Sequence, residues 1–116
     1  MEIVKVRALA ARLSQRRQQI ALTLSHLESE RSDVEKNTEW KDALARQRRR
    51  NLLNYLNRWY VREMGEVDRA LERVSRRNYG ACASCSCVIE ADWLETFPEA
   101  EYCRTCQGIR DRTERG

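Results

Sequence analysis

Three features of this sequence predict an all-α fold: two long stretches with apolar residues at gaps of three and four, a short polar segment between them, and two C-x-x-C pairs near the C-terminus. Helices that each carry a narrow apolar seam bury it most simply against one another. Paired cysteines at this separation are spaced to hold a metal ion. The expected architecture is therefore a long antiparallel coiled-coil hairpin with a small C4 zinc-finger module and a short C-terminal helix. Residues 1–77 are assigned to the hairpin, with its tip at about 31–42, and residues 78–116 to the finger and the C-terminal helix.

The first helix is predicted from Ile3 to about Glu30, a run without glycine or proline. Its seam is Ile3, Val6, Ala10, Leu13, Ile20, Leu24 and Leu27, broken only at Arg17, a side chain that must snorkel or fix the pairing register. His26 is expected in a solvated or seam-edge position, not as a ligand. The polar linker Arg31 to Thr38 should fold the chain back, with Ser32 and Glu35, Asn37 or Thr38 supplying the cap. The second helix is predicted from about Glu39 to about Arg77, where Leu53, Leu56, Tyr60, Met64, Val67, Leu71 and Val74 repeat the period. Leu52 and Trp59 widen that stripe. Gly65 inside it costs about 1 kcal/mol relative to alanine.

Cys82-Ala83-Ser84-Cys85 and Cys103-Arg104-Thr105-Cys106 are separated by seventeen residues. Each pair bends the backbone into a knuckle that presents two thiolates to one metal, and the loop between them must be long enough to return. Gly80 is expected to release the chain from the preceding helix, Pro98 lies in the return loop, and a helix from about Arg104 to Arg112 closes the chain. Four thiolates fill a tetrahedral shell, so the zinc predicted on Cys82, Cys85, Cys103 and Cys106 is structural. The count of five cysteines, confined to one stretch with no targeting peptide in view, argues against a disulfide framework. A redox C-x-x-C requires a βαβ context, and iron-sulfur clusters use this paired spacing less often. Cys87 is left over. It is read as a small buried hydrophobe, with an alternative ligand or an oxidisable thiol as lesser options.

The chain has 116 residues, 34% of them charged, with 22 Lys+Arg against 18 Asp+Glu. Such a composition buries only a thin core. The net charge of +4 is too mild and too mixed to specify nucleic acid by itself. No apolar run reaches membrane-spanning length, and reduced thiols imply a cytoplasmic protein. Around the expected turn lie Glu28, Glu30, Asp33, Glu35, Glu39 and Asp42 against Arg31, Lys36 and Lys41, with Trp40 among them, and Arg46-Gln47-Arg48-Arg49-Arg50 follows at once. There is no nucleophile-base pair, no glycine-rich phosphate loop and no histidine near the cysteines, so an enzyme is not expected.

Tyr79-Gly80-x-Cys-x-x-Cys, Ile89, Leu94, Pro98, Ala100 and the second C-x-x-C, preceded by Arg69-Ala70-Leu71-Glu72-Arg73-Val74, resemble the zinc finger and adjoining helix of the DksA/TraR family. The resemblance covers about Gly65 to Gln107 and extends through the hairpin before it. It implies a globular finger carrying a coiled coil that enters the secondary channel of bacterial RNA polymerase, where acids in a D-x-x-D-x-A pattern at the tip alter promoter-complex stability. The matching positions here are Glu39, Asp42 and Leu44, so glutamate replaces the first aspartate and leucine the alanine. Trp40, Arg46, Arg48, Arg49 and Arg50 are further contact candidates. Other departures are Ser86, where glycine usually follows the second cysteine, and Trp93, where arginine usually precedes the loop leucine. Nucleotide-responsive members hold guanosine tetraphosphate with basic side chains; the positions here are Trp59, Glu63, Glu66, Trp93, Phe97 and Gln107, none of them basic, so regulation with little or no dependence on that nucleotide is expected. The resemblance thus implies a monomeric transcription regulator with RNA polymerase as partner, without membrane or sequence-specific DNA contact. The alternative is a zinc-ribbon nucleic-acid binder using Arg46 to Arg50, Arg104, Arg110 and Arg112.

Overall fold

Seven-residue spacing of apolar side chains decides how the long helices meet. The computed structural model describes residues 3–36 and 42–115. Its helices are α1 (Ile3–Lys36), α2 (Ala43–Ser75), α3 (Ala91–Thr96) and α4 (Arg104–Arg115). Among the described residues there is no strand; one antiparallel bridge joins Ala81 to Val88. The predicted all-α class and the packed pair of long helices hold.

Leu13, Ile20, Leu27 and Val34 are all buried and stand seven residues apart, which is the ladder of a left-handed coil. This is a tighter register than the expected seam. Leu9 is buried and Ile3 is 72% exposed, so the seam begins at Leu9. Arg17 lies outside it and is exposed, while Arg16 is half-buried. Val34, placed in the linker from sequence, is a core residue, because α1 continues to Lys36 instead of ending near Glu30. Ser32 therefore sits inside a helix and caps nothing; Asn37 and Thr38 lie outside the described residues. On α2, Leu53 and Val67 are buried on the same ladder, whereas Leu52 and Trp59, expected to widen the stripe, are 45% and 47% exposed on an adjoining face.

The chain forms two compact units, to each of which α1 and α2 contribute. In one, running from Arg17 to Gly65, Leu27, Val34 and Leu53 form a core with Leu56 and Tyr60 against it. Arg49 pairs with Glu30, and Arg50 Nε donates to Glu35 at 2.6 Å. The other unit joins the start of α1, up to Arg16, to everything from Glu66 onward. Its core is Leu9, Cys82, Ile89, Leu94 and Cys103, packed by Tyr79, Trp93, Ala100 and Tyr102.

α2 stops two residues earlier than expected, and glycine is not what stops it. The Asn78 N–H donates to the Arg73 carbonyl at 3.0 Å and the Arg77 N–H to the Val74 carbonyl at 3.1 Å, with Arg77 at φ 62. These are the paired bonds of a Schellman cap, built here on a non-glycine residue. Gly80, at φ 92, turns the chain later, into the first knuckle. Ser86, at φ 65, is the second non-glycine residue in the left-handed region. Left-handed angles cost an L-residue roughly 1–2 kcal/mol, and glycine returns part of that through its freer unfolded chain. Arg77→Gly and Ser86→Gly should therefore each raise the thermal stability of the loaded protein by up to about 1 kcal/mol. Unchanged or lowered melting temperatures in both would refute the strain argument.

Candidate functional site

The first knuckle is closed by its own backbone. The Ile89 N–H donates to the Gly80 carbonyl at 2.8 Å, the Cys82 N–H to the Cys87 carbonyl at 2.8 Å, and the Ser86 N–H to the Cys82 carbonyl at 3.0 Å. The second knuckle is the start of α4. The Cys106 N–H donates to Cys103 Sγ at 3.5 Å, so Cys103 stands at the N-terminus of α4 with its sulfur toward that amide. The return loop contains a short helix that the sequence reading did not anticipate, α3, whose Leu94 is fully buried. The loop is tied back by Tyr79 Oη donating to the Pro98 carbonyl at 2.8 Å and by the Ala83 N–H donating to the Glu101 carbonyl at 2.8 Å.

These restraints bring the sulfurs of Cys82, Cys85, Cys103 and Cys106 within 4.8 Å of one another, with Cys85 and Cys103 Sγ 3.9 Å apart. A tetrahedral zinc with bonds near 2.3 Å would place its sulfurs about 3.8 Å apart. The donor set and its spacing fit a four-thiolate metal site. Burial raises the Cys82 thiol, but hydrogen bonds from the amides of Cys85, Cys103 and Ser84 outweigh it and bring the group down to about 6. Cys106, hydrogen-bonded first to the Cys103 sulfur, is pushed up to about 12. A divalent cation bound here would take all four sulfurs as thiolates. Cys87 is outside the group and exposed, not the buried hydrophobe expected. Its backbone still serves the knuckle, since its carbonyl accepts the Cys82 N–H.

At the other candidate site, Glu39 and Trp40 lie outside the described residues. Asp42 is exposed and caps α2: its Oδ1 accepts the Leu44 N–H at 2.9 Å and its carbonyl accepts the Arg46 N–H at 3.1 Å. Leu44 is 56% exposed. Of the basic run, Arg49 and Arg50 are engaged by Glu30 and Glu35. Arg48 is exposed on the α2 face that also carries Leu52, Tyr55, Trp59 and Arg62. Arg104 pairs with Asp92 at 2.8 Å and stacks over Trp93 at 5.1 Å, and Arg110 stacks over Tyr102 at 4.4 Å.

A helical hairpin with a four-cysteine finger defines the fold. Among solved structures it is similar to that of transcription factor DksA2 from Pseudomonas aeruginosa, with a TM-score of 0.88, 23% sequence identity, and coverage of 100% of this chain and 90% of that one. No family model and no curated protein matches the sequence. The resemblance to the DksA/TraR family seen in the residues therefore holds at the level of the fold. No helix among the described residues is long and apolar enough to cross a membrane.

Cys103→Ser should bind far less metal, because the lost ligand is also the buried sulfur at the start of α4. Cys87→Ser should keep a full load. Metal content of the two purified variants by elemental analysis checks this; equal loading of both would remove the four-sulfur site.

Proposed function

We propose that this protein regulates bacterial transcription by binding RNA polymerase, with residues 1–77 acting as a hairpin that presents its acidic tip in the secondary channel and residues 78–116 as a zinc finger that holds the base. The observation that carries the reading is the likeness in fold, over the whole chain, to a transcription factor. The metal is a single structural zinc on Cys82, Cys85, Cys103 and Cys106, and the protein works as a cytoplasmic monomer, without catalysis or sequence-specific DNA contact.

Glu39 and Asp42 are the active-site-facing acids of this reading. Asp42 supports it because one carboxylate oxygen serves the α2 N-terminus while the side chain stays exposed, leaving acceptor capacity and charge for a polymerase group or its metal. Trp40, Arg46 and Arg48 are the further contacts, and Arg49 and Arg50 act mainly by holding α2 to Glu30 and Glu35. The nucleic-acid alternative is weaker on the same grounds: Arg49, Arg50, Arg104 and Arg110 are engaged by partners within the chain, and the acids of α1 beside the basic run oppose a phosphate backbone.

Asp42→Asn tests the mechanism cleanly, because asparagine caps a helix about as well as aspartate. The variant should fold with nearly wild-type stability and bind core polymerase nearly as tightly, yet lose its effect on open-complex lifetime. Asp42→Ala should in addition lose about 1 kcal/mol of stability with the cap. Full regulatory activity in Asp42→Asn combined with Glu39→Gln would sink the secondary-channel reading.

Little or no dependence on guanosine tetraphosphate is part of this reading, because Trp59, Glu63, Glu66, Trp93, Phe97 and Gln107 offer no basic side chain. Titrating the nucleotide into polymerase with and without this protein should give the same affinity or only a weak protein-dependent gain. A large protein-dependent gain would overturn the inference.

A further inference from the structure

We propose that Arg73 on α2 is a positioning residue of the metal centre: it holds the segment before the second C-x-x-C pair so that Cys103 and Cys106 face Cys82 and Cys85. The inference rests on the four-sulfur cluster being a metal site. Arg73 touches none of the sulfurs. Its guanidinium donates through Nη2 to the carbonyls of Glu99, at 3.3 Å, and Ala100, at 3.1 Å, and Nη1 lies 3.6 Å from Glu101 Oε1. Arg69 Nε donates to the same carboxylate oxygen at 2.5 Å. The Arg73 side chain is only 16% exposed, against 56% for Arg69, so Arg73 is the buried member of this clamp.

What makes the clamp relevant to the metal is the next bond along. The Glu101 carbonyl accepts the Ala83 N–H at 2.8 Å, one residue past Cys82. The segment from Glu99 to Glu101 is thus gripped by α2 on one side and by the first knuckle on the other, and Cys103 follows two residues later. With the clamp in place, four sulfurs already lie within 4.8 Å of one another. Without it, three carbonyl and carboxylate groups lose a charged donor and the second knuckle must be ordered at the expense of metal binding. The coupling is reciprocal: whatever factor Arg73 adds to metal affinity, bound metal adds to the Arg73 contacts. Metal occupancy is thereby transmitted to the C-terminal end of α2.

The test uses the full chain loaded with zinc, and compares Arg73→Met, Arg73→Lys, Glu101→Gln and the hairpin-core control Leu53→Ala. Zinc affinity is read by chelator competition, and the ligand set by the absorption of the cobalt-substituted protein. Removing groups that orient metal ligands lowers affinity by roughly 10–100-fold, and that is the expected loss for Arg73→Met. Arg73→Lys should recover part of it. Glu101→Gln, which leaves the two carbonyl bonds intact, should lose less, about threefold or more on the same scale. The cobalt spectrum at saturation should keep its four-thiolate form throughout, and Leu53→Ala should lower thermal stability with zinc affinity unchanged. If Arg73→Met fails to fold, Glu101→Gln decides. Affinities within threefold of the parent in both variants, or an equal loss in Leu53→Ala, would overturn the proposal. A parent chain that binds no zinc would overturn it together with the metal-site reading beneath it.

Discussion

Convergence of four sulfurs is the constraint on which the finger depends. Its apolar core is small: Ile89 and Leu94 are its buried branched side chains, and Leu9 reaches it from α1. A core of that size does not by itself offset the ordering of some forty residues. Two of the sulfurs, on Cys82 and Cys103, are core residues in their own right, so the metal site and the hydrophobic core occupy the same space. Binding free energy at such a site is also folding free energy.

The coil solves a different problem. Its apolar ladder of Leu13, Ile20, Leu27 and Val34 is accompanied by a second row, Leu9, Arg16, Thr23 and Glu30, that is mostly polar. A seam of this kind is weakly stabilised by burial, and the pairs of Arg49 with Glu30 and Arg50 with Glu35 flank it. Exposed ion pairs contribute only about 0–1 kcal/mol each, so Arg49 and Arg50 serve alignment more than stability. The same alignment leaves Leu52, Tyr55 and Trp59 on an outer face of α2, with Arg48 and Arg62 along it. That separation of paired and exposed cations within one basic run is what lets a single helix both hold its partner and present a surface.

In the proposed reading, Asp42 would carry a structural and a functional duty at once. A carboxylate at the N-terminus of α2 is favourable for the helix whatever else it does, and the hydrogen bond to Leu44 gives it a fixed orientation. Its charge is equally what the tip of a channel-entering hairpin would present. Only a substitution that keeps the cap and removes the charge separates the two duties.

The sequence by itself determined the parts that depend on local spacing. Heptad periodicity implied two long paired helices, and C-x-x-C pairs seventeen residues apart implied the metal ligands, because these patterns repeat within a turn or a knuckle and need no distant partner. The seven-residue ladder through Val34 was legible too, had Leu13 been extended strictly instead of starting the seam at Ile3. Tertiary structure decided the rest. Whether Leu52 and Trp59 line the seam or flank it depends on which face of α2 meets α1. Cys87 is exposed although it stands two residues from a ligand, and the role of Arg73 exists only because α2 ends beside Glu99, Ala100 and Glu101. Those contacts join residues far apart in the chain, and no periodicity announces them: they come into being only when the helices and the finger have folded together.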